Sequence, residues 1–307
     1  MAPGSGSSTS SEGWGASAVA GADAARAAGL DPLTLRTVAA DAGVGANLLA
    51  VAPLPGSFSY TQFDTYGRCP LRYALQNVYR VPTAETVAAF TFGSTAHAAF
   101  EAFTKERRER AARGEPPPTR ADLGQLFAAE WKPTGFPDAT SEQTYRRRTA
   151  TLLDNFWEGE LATVGTALHE ELGFVLRLDP VDRSPVARIG GFIDRIDRLP
   201  SGGIEVLDYK TGKPGTQKTV DESLQLSIYA LACRDTLGLG TPERVTLYYT
   251  EAATRMSTTR TDDQLDAARD ELLSRSAQIR SGDFHATPSQ KVCGWCDYRA
   301  ICPSRAE

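Results

Sequence analysis

Residues 187–210 read ARIGGFIDRIDRLPSGGIEVLDYK. Apolar and β-branched residues alternate with charged ones on both sides of PSGG (200–203), the pattern of two half-buried strands joined by a hairpin turn. With the turn centred near residue 201, antiparallel pairing sets Asp194 opposite Asp208, with Cβ atoms roughly 4.5–5.5 Å apart. Lys210 stands two residues beyond Asp208 and projects to the same face. Two carboxylates and a lysine thus converge on one patch. Adjacent carboxylates repel unless a cation separates them, and hard oxygen donors suit magnesium or manganese. Such an ion polarises a phosphoryl oxygen and lowers the pKa of a bound water. The lysine can orient that water or stabilise charge building on the phosphate. This equipment suits phosphodiester hydrolysis. The bland alternative is an ion pair on a strand edge. Against it, Asp208 follows Ile204, Val206 and Leu207 and so ends a buried strand, and Gly190–Gly191 permits close backbone approach.

Working outward, ELGFVLRL (171–178) has strand character, SLQLSIYALACRDTL (223–237) returns to helical spacing, and RVTLYYT (244–250) is a further strand. Upstream, residues 92–113 form a long helix that ends at Gly114 before three prolines, and two more helices are expected near 120–131 and 142–166. A final amphipathic helix is expected near 262–280. Helices, three strands, a helix and a strand predict one α/β domain with a mixed central sheet flanked by helices. Residues 1–52 read as an N-terminal extension: a disordered Gly/Ser/Thr tail over 1–13, then an Ala-rich stretch with one helix capped by Asp31. Residues 53–307 form the expected domain.

The net charge is −5, against a surface that coats nucleic acid throughout. Arg107, Arg108, Arg110 and Arg113, and Arg146, Arg147 and Arg148, are local basic clusters open to two readings, a solvated helix face or DNA-backbone contact. No apolar run is long enough to span a membrane and no secretory signal is visible, so a cytoplasmic location is expected. YKTGKPGT (209–216) contains Gly-Lys, but the phosphate-loop pattern fails, since Leu207 takes the first glycine position and Pro214 follows Lys213.

GGFIDRID, then VLDYKTGK, then LQLSIYA resembles the pattern of RecB-like PD-(D/E)XK nucleases. The resemblance covers roughly residues 57–303 and implies the restriction-endonuclease-like fold. It also implies Asp194, Asp208 and Lys210 as the catalytic centre, with Gln225 and Tyr229 facing it one helical turn apart. His97, in FGSTAHAAFE, is implied as a metal ligand beside Asp194, Asp208 and the backbone carbonyl of Tyr209. Glu171 matches the family in a supporting role. Ile193 stands where the class name has proline, as is common in this branch. SFSYTQFDTYGRCPLRYALQNVYRVP (57–82) closely resembles the opening of the nuclease domain fused behind UvrD/PcrA-like helicases. The implied activity is metal-dependent DNA cleavage, exonucleolytic and in end processing or repair, with a helicase partner in trans. A CRISPR-adaptation nuclease and a non-catalytic DNA-binding module are the alternatives.

Five cysteines in a presumed reducing compartment argue against a disulfide framework. Cys293-x2-Cys296-x5-Cys302 can cap one metal centre and leave a position for Cys69, 224 residues earlier. The resemblance implies a [4Fe–4S] staple on these four; four thiolates also suit zinc. Trp295 and Tyr298 are expected to pack over it, and Cys233 to be a buried free thiol.

Overall fold

The computed structural model describes residues 55–81, 87–180 and 185–306. The N-terminal extension, with its expected tail and Asp31-capped helix, lies outside the described residues. In chain order the helices and strands are α1 Tyr60–Arg68, α2 Pro70–Tyr73, α3 Val87–Arg113, α4 Arg120–Glu130, α5 Ala139–Leu161, β1 Thr166–Leu178, β2 Ala187–Arg198, β3 Ile204–Lys210, α6 Gln217–Asp221, α7 Leu224–Asp235, β4 Arg244–Tyr249, β5 Thr254–Thr258, α8 Asp262–Ser281 and α9 Gln290–Gly294. The chain divides into two compact units, a larger one from residues 56–61 and 85–277 and a smaller one that includes 62–84 and 278–307.

The larger unit is built on a five-stranded mixed sheet in the order β1-β2-β3-β4-β5. β3 and β4 are parallel, and α6 and α7 form the crossover between them; the other neighbours are antiparallel. The hairpin between β2 and β3 has the expected register, Arg195 opposite Leu207 and Arg198 opposite Ile204. Its turn is closed by Leu199 N donating to Gly203 O at 2.9 Å and relies on Gly202 at φ 89°. β5 was not expected. TRMST carries no apolar alternation, and this short polar strand turns back from β4 through Ala253 at φ 48°.

The helices obey local chemistry. Thr119 and Asp122 make a reciprocal capping box at the start of α4, and Asp138 caps α5. α5 ends at Leu161 rather than near 166, because the residues after Gly165 extend into β1. Phe92, Ala96, Ala99, Phe100 and Phe103 line the buried face of α3 and pack with Leu123, Phe127, Leu152 and Phe156 against Tyr209 and Tyr248 of the sheet. Phe100 and Phe156 stack at 3.8 Å. Each buried ring contributes roughly 1.5–3 kcal/mol. This aromatic core fixes the rotation of α3, and so decides where His97 points.

In the smaller unit Tyr66 donates to Asp283 O at 2.8 Å and packs edge-on against Tyr73, and Thr287 Oγ1 donates to Arg68 O at 2.8 Å. The short segments 62–81 and 278–306 are tied by such side-chain contacts and by the backbone bond from Leu71 N to His285 O at 3.2 Å.

Candidate active site

The ladder between β2 and β3 stops at Arg195 and Leu207. Beyond it the strands part, and Asp194 Oδ2 accepts from Tyr209 N at 2.6 Å in place of a strand bond. On the other side of β2, Glu170 pairs with Arg195 and Leu172 with Ile193, so Glu171 stands between them opposite Asp194. Glu171 has φ 43°, a left-handed conformation that breaks the strand's alternation. Two successive carboxylates therefore face helix α3. Glu170 takes Arg108 in a two-pronged ion pair, and Glu171 faces His97.

His97 Nδ1 lies 3.4 Å from Asp194 Oδ1. Ligand atoms of His97, Glu171 and Asp194 all lie within 4.8 Å of one another. Burial by itself would lower the His97 imidazole. The hydrogen bond and charge of Asp194, then Asp208 and Glu171, overcome this and push it to about 9. Burial, then the charge of Asp194, pushes the Glu171 carboxyl up to about 7. Crowded, half-dehydrated acids of this kind suit a divalent cation. The expected role of Glu171 is a supporting one. Its signal was the Glu170–Glu171 pair, two like charges in a strand where alternation puts one on each face.

Asp208 lies beside this trio and is 2% exposed. Tyr229 Oη donates to its Oδ1 at 2.9 Å and Gln225 Nε2 at 2.8 Å. Its Oδ2 is 2.6 Å from Lys210 Nζ but accepts no aligned hydrogen bond. Gln225 Oε1 accepts from Lys210 Nζ at 3.0 Å. Burial pushes the Asp208 carboxyl up, opposed by Lys210. Burial would lower Lys210, but Asp208 reverses this, and the amine is held as ammonium. The structure thus groups Asp208, Lys210, Gln225 and Tyr229 in one network, and Asp194 and His97 with Glu171 next to it. Tyr209, expected to offer its carbonyl, has its ring in the aromatic core and its N–H on Asp194.

Behind the carboxylates runs a buried network that no sequence pattern announced. Arg195 is 2% exposed. Its Nη1 donates to Glu160 Oε1 at 2.6 Å, and its Nε and Nη2 donate to Asp197 at 2.5 and 2.9 Å. Arg107 Nη1 donates to Glu160 Oε2 at 3.1 Å. Two guanidiniums and two carboxylates balance, and they fasten β2 to α5 and α3 next to Asp194. The basic clusters are engaged too: Arg107 and Arg108 as above, Arg110 by Glu106, Arg113 by Glu115, Arg146 by Glu142 and Arg148 by Glu251.

In the smaller unit, Cys69, Cys293, Cys296 and Cys302 line one cavity. Burial raises the thiols of Cys296 and Cys302, and each also feels Cys69. Among the described residues no three of these sulfurs approach within 4.8 Å of one another. Tyr298 is buried as expected, its hydroxyl on Val81 O at 3.0 Å. Trp295 is not: it is 86% exposed. Its place after the short helix α9 turns the indole outward. Cys233 is buried, and burial pushes its thiol up to about 12.

Residues 57–303 match the family described as the PD-(D/E)XK nuclease superfamily. No curated protein matches. Among solved structures, "Crystal structure of SSO0001" is similar at 15% identity and a TM-score of 0.35, over 71% of this chain and 96% of that one. Among the described residues, no helix is long and apolar enough to cross a membrane.

Proposed function

Because the chain belongs to the PD-(D/E)XK nuclease superfamily over residues 57–303, we propose that it is a metal-dependent deoxyribonuclease of the RecB-like branch, acting as an exonuclease in DNA end processing with a helicase partner in trans. The observation that carries this reading is the convergence of His97, Glu171 and Asp194 beside the Asp208–Lys210 pair. The donor set fits a magnesium or manganese ion: carboxylates, one imidazole, and in Asp208 Oδ2 a buried oxygen with no aligned donor. His97, Glu171, Asp194 and Asp208 would hold it, with the Tyr209 carbonyl adjoining. A bound divalent ion supplies Lewis-acid polarisation of the phosphoryl oxygen and a more acidic water.

The remaining work falls to this chain's own groups. Lys210 keeps a fixed positive charge at the mouth of the carboxylate pair, where it can stabilise charge building on the phosphate. Gln225 bridges Lys210 and Asp208 and sets the ammonium's direction. Tyr229 donates to Asp208 and turns the other carboxylate oxygen toward the lysine. The Arg195 network holds β2 where it parts from β3.

The same reading includes residues 53–307 as the nuclease region and a [4Fe–4S] cluster on the four cysteines. Four thiols lining one cavity support it. Four thiolates would also suit tetrahedral zinc. A cubane would take one thiolate on each iron, and the colour of the purified protein separates the two.

The test is cleavage of end-labelled single- and double-stranded DNA with magnesium or manganese. Loss in EDTA and in Asp208→Ala and Lys210→Ala is expected. Either variant cleaving at the wild-type rate would sink the assignment. Anaerobically purified protein should be brown; a colourless, active protein with stoichiometric zinc would replace the cluster.

A further inference from the structure

The hairpin of β1 and β2 has one buried face and one exposed face. Phe174, Leu176 and Leu178 with Ala187 and Ile189 are buried. The other face carries three cross-strand pairs, Gly173 with Phe192, Val175 with Gly190, and Arg177 with Arg188. The next position in that series is Glu171 and Asp194, two members of the trio facing His97. One face therefore runs from two arginines, past a valine and an aromatic ring, to the carboxylates.

The details of that face are unusual for a solvated surface. Phe192 is 62% exposed and Val175 57%. Phe192 pairs with a glycine, and a Cβ at Gly173 would come 3.2 Å from its Cε1, so the ring lies over bare backbone. Among the described residues no aromatic ring or cation stacks on it. At the far end Arg177 pairs with the Asp179 carboxylate, Arg269 donates to the Asp179 carbonyl, and the charge of Arg188 also reaches that carboxylate. Same-face residues repeat about every 6.6 Å along a strand. From Asp194 to Arg188 is thus about 20 Å, the length of about six nucleotides at the stacked spacing of 3.4 Å and fewer for an extended strand. On the helix side, Phe90 is 78% exposed and lies two turns before His97 on the same face of α3. A Cβ at Gly93, between them, would come 3.5 Å from Thr211 Oγ1, next to Lys210.

We propose that this exposed hairpin face is the track for a single-stranded DNA end, with Phe192 stacking a base beside the scissile phosphate and Arg188 contacting a phosphate farther along. The proposal rests on the nuclease reading and names its substrate class. Guanidiniums take phosphates and aromatic faces take bases of any identity. A ring reaches a base only where the base has left its partner, so a duplex would have to fray before Phe192 could hold it. Isolated exposed apolar residues are ordinary. Here they share one face, in line with the carboxylates, and the paired glycines leave room for a strand to lie close.

The experiment measures binding without cleavage. Oligonucleotides carrying 2-aminopurine near one end are titrated into the full chain in calcium, and stacking is read as fluorescence quenching. Phe192→Ala should weaken binding about 5- to 150-fold, the contribution of one stacked base, and abolish the quench. Phe192→Tyr should restore both, and Leu161→Ala, an exposed residue elsewhere, should change neither. An oligonucleotide abasic at that position should bind wild type and Phe192→Ala alike. Arg188→Ala should lower the salt dependence by about one phosphate contact. Unchanged affinity in Phe192→Ala, or an equal loss on the abasic strand, would overturn the track. DNA cleaved by a chain with Phe192-independent binding would leave the nuclease reading and remove the track. Base-dependent quenching without cleavage in magnesium or manganese would do the reverse.

Discussion

Glu171→Gln should stabilise the metal-free protein while removing its response to metal. Glu171 sits left-handed between Glu170 and Leu172, opposite Asp194 and close to His97. Burial, then Asp194, raises its carboxyl from 4.5 to about 7. At ~1.36 kcal/mol for each pH unit that difference corresponds to about 3.4 kcal/mol. The group is only half-buried, so solvent screening reduces it to on the order of 1 kcal/mol. The sign follows from linkage. The folded state binds this proton more tightly than the unfolded state, so the penalty is absent below pH 4.5, grows between 4.5 and about 7, and is complete above. At pH 8 in EDTA, glutamine at this position removes the penalty at nearly constant volume, and Tm should rise about 2–4 °C for a unit of this size. Manganese at a hundredfold excess over its Kd should stabilise wild type by about 2.7 kcal/mol; the glutamine variant should show little of that shift. Thermal melts at pH 5 and pH 8, with EDTA or manganese, separate the two effects. A variant less stable than wild type in EDTA at pH 8, or one keeping the full manganese shift, would refute the placement of Glu171 in the metal site.

Arg195→Ala leaves Asp197 buried without its guanidinium and Glu160 with Arg107 alone, and should cost roughly 3–5 kcal/mol, measured by urea unfolding. Tyr229→Phe removes a 2.9 Å hydrogen bond to Asp208 and should reduce kcat about tenfold, on the order of 1.5 kcal/mol for a bond to a charged group, as read by single-turnover cleavage. Gly159→Ala would bring a Cβ to 2.0 Å from Tyr248 Oη and should lower stability by about 1–3 kcal/mol, checked by thermal melts. Cys233, buried with its thiol near pKa 12, should resist iodoacetamide at pH 8 in the folded chain and react once urea unfolds it, as peptide mass mapping would show.

Much of the sheet was legible because alternation and turn chemistry act over a few residues. The register of β2 on β3 followed from PSGG alone, since a short loop leaves little choice of pairing. β5 was not legible: a polar edge strand has one neighbour and no buried face, so nothing in TRMST distinguishes it from a loop. Helix α3 was placed well but started five residues late, at Phe92 instead of Val87. Thr86, directly before Val87, is a capping residue type, and Ala88 already begins the buried stripe that Phe92, Ala96 and Phe100 continue; the stripe is hard to see early because its first member is a small alanine.

The candidate site shows where local reading stops. Asp208, Lys210, Gln225 and Tyr229 are tied by two spacings, one strand step and one helical turn, and both survive translation from sequence to structure. Glu171 depends on something no spacing encodes, a left-handed residue inside a strand. Strict alternation would put Glu170 and Glu171 on opposite faces, and only one could meet α3. The left-handed turn at Glu171 lets one serve Arg108 while the other faces His97. For a residue with a Cβ that conformation is unfavourable, so contacts around it must hold it there. The Arg108–Glu170 ion pair stands on one side and the crowded acid cluster on the other. The cluster resists in EDTA, because Glu171 and Asp194 repel, and a cation between them turns that repulsion into attraction. The backbone strain at Glu171 and the acid cluster thus depend on one local conformation, which a cation between Glu171 and Asp194 would favour. Arg108→Ala should thus weaken manganese affinity although Arg108 touches no expected ligand. Isothermal titration would show this, and an unchanged Kd would separate the strand's distortion from the metal site.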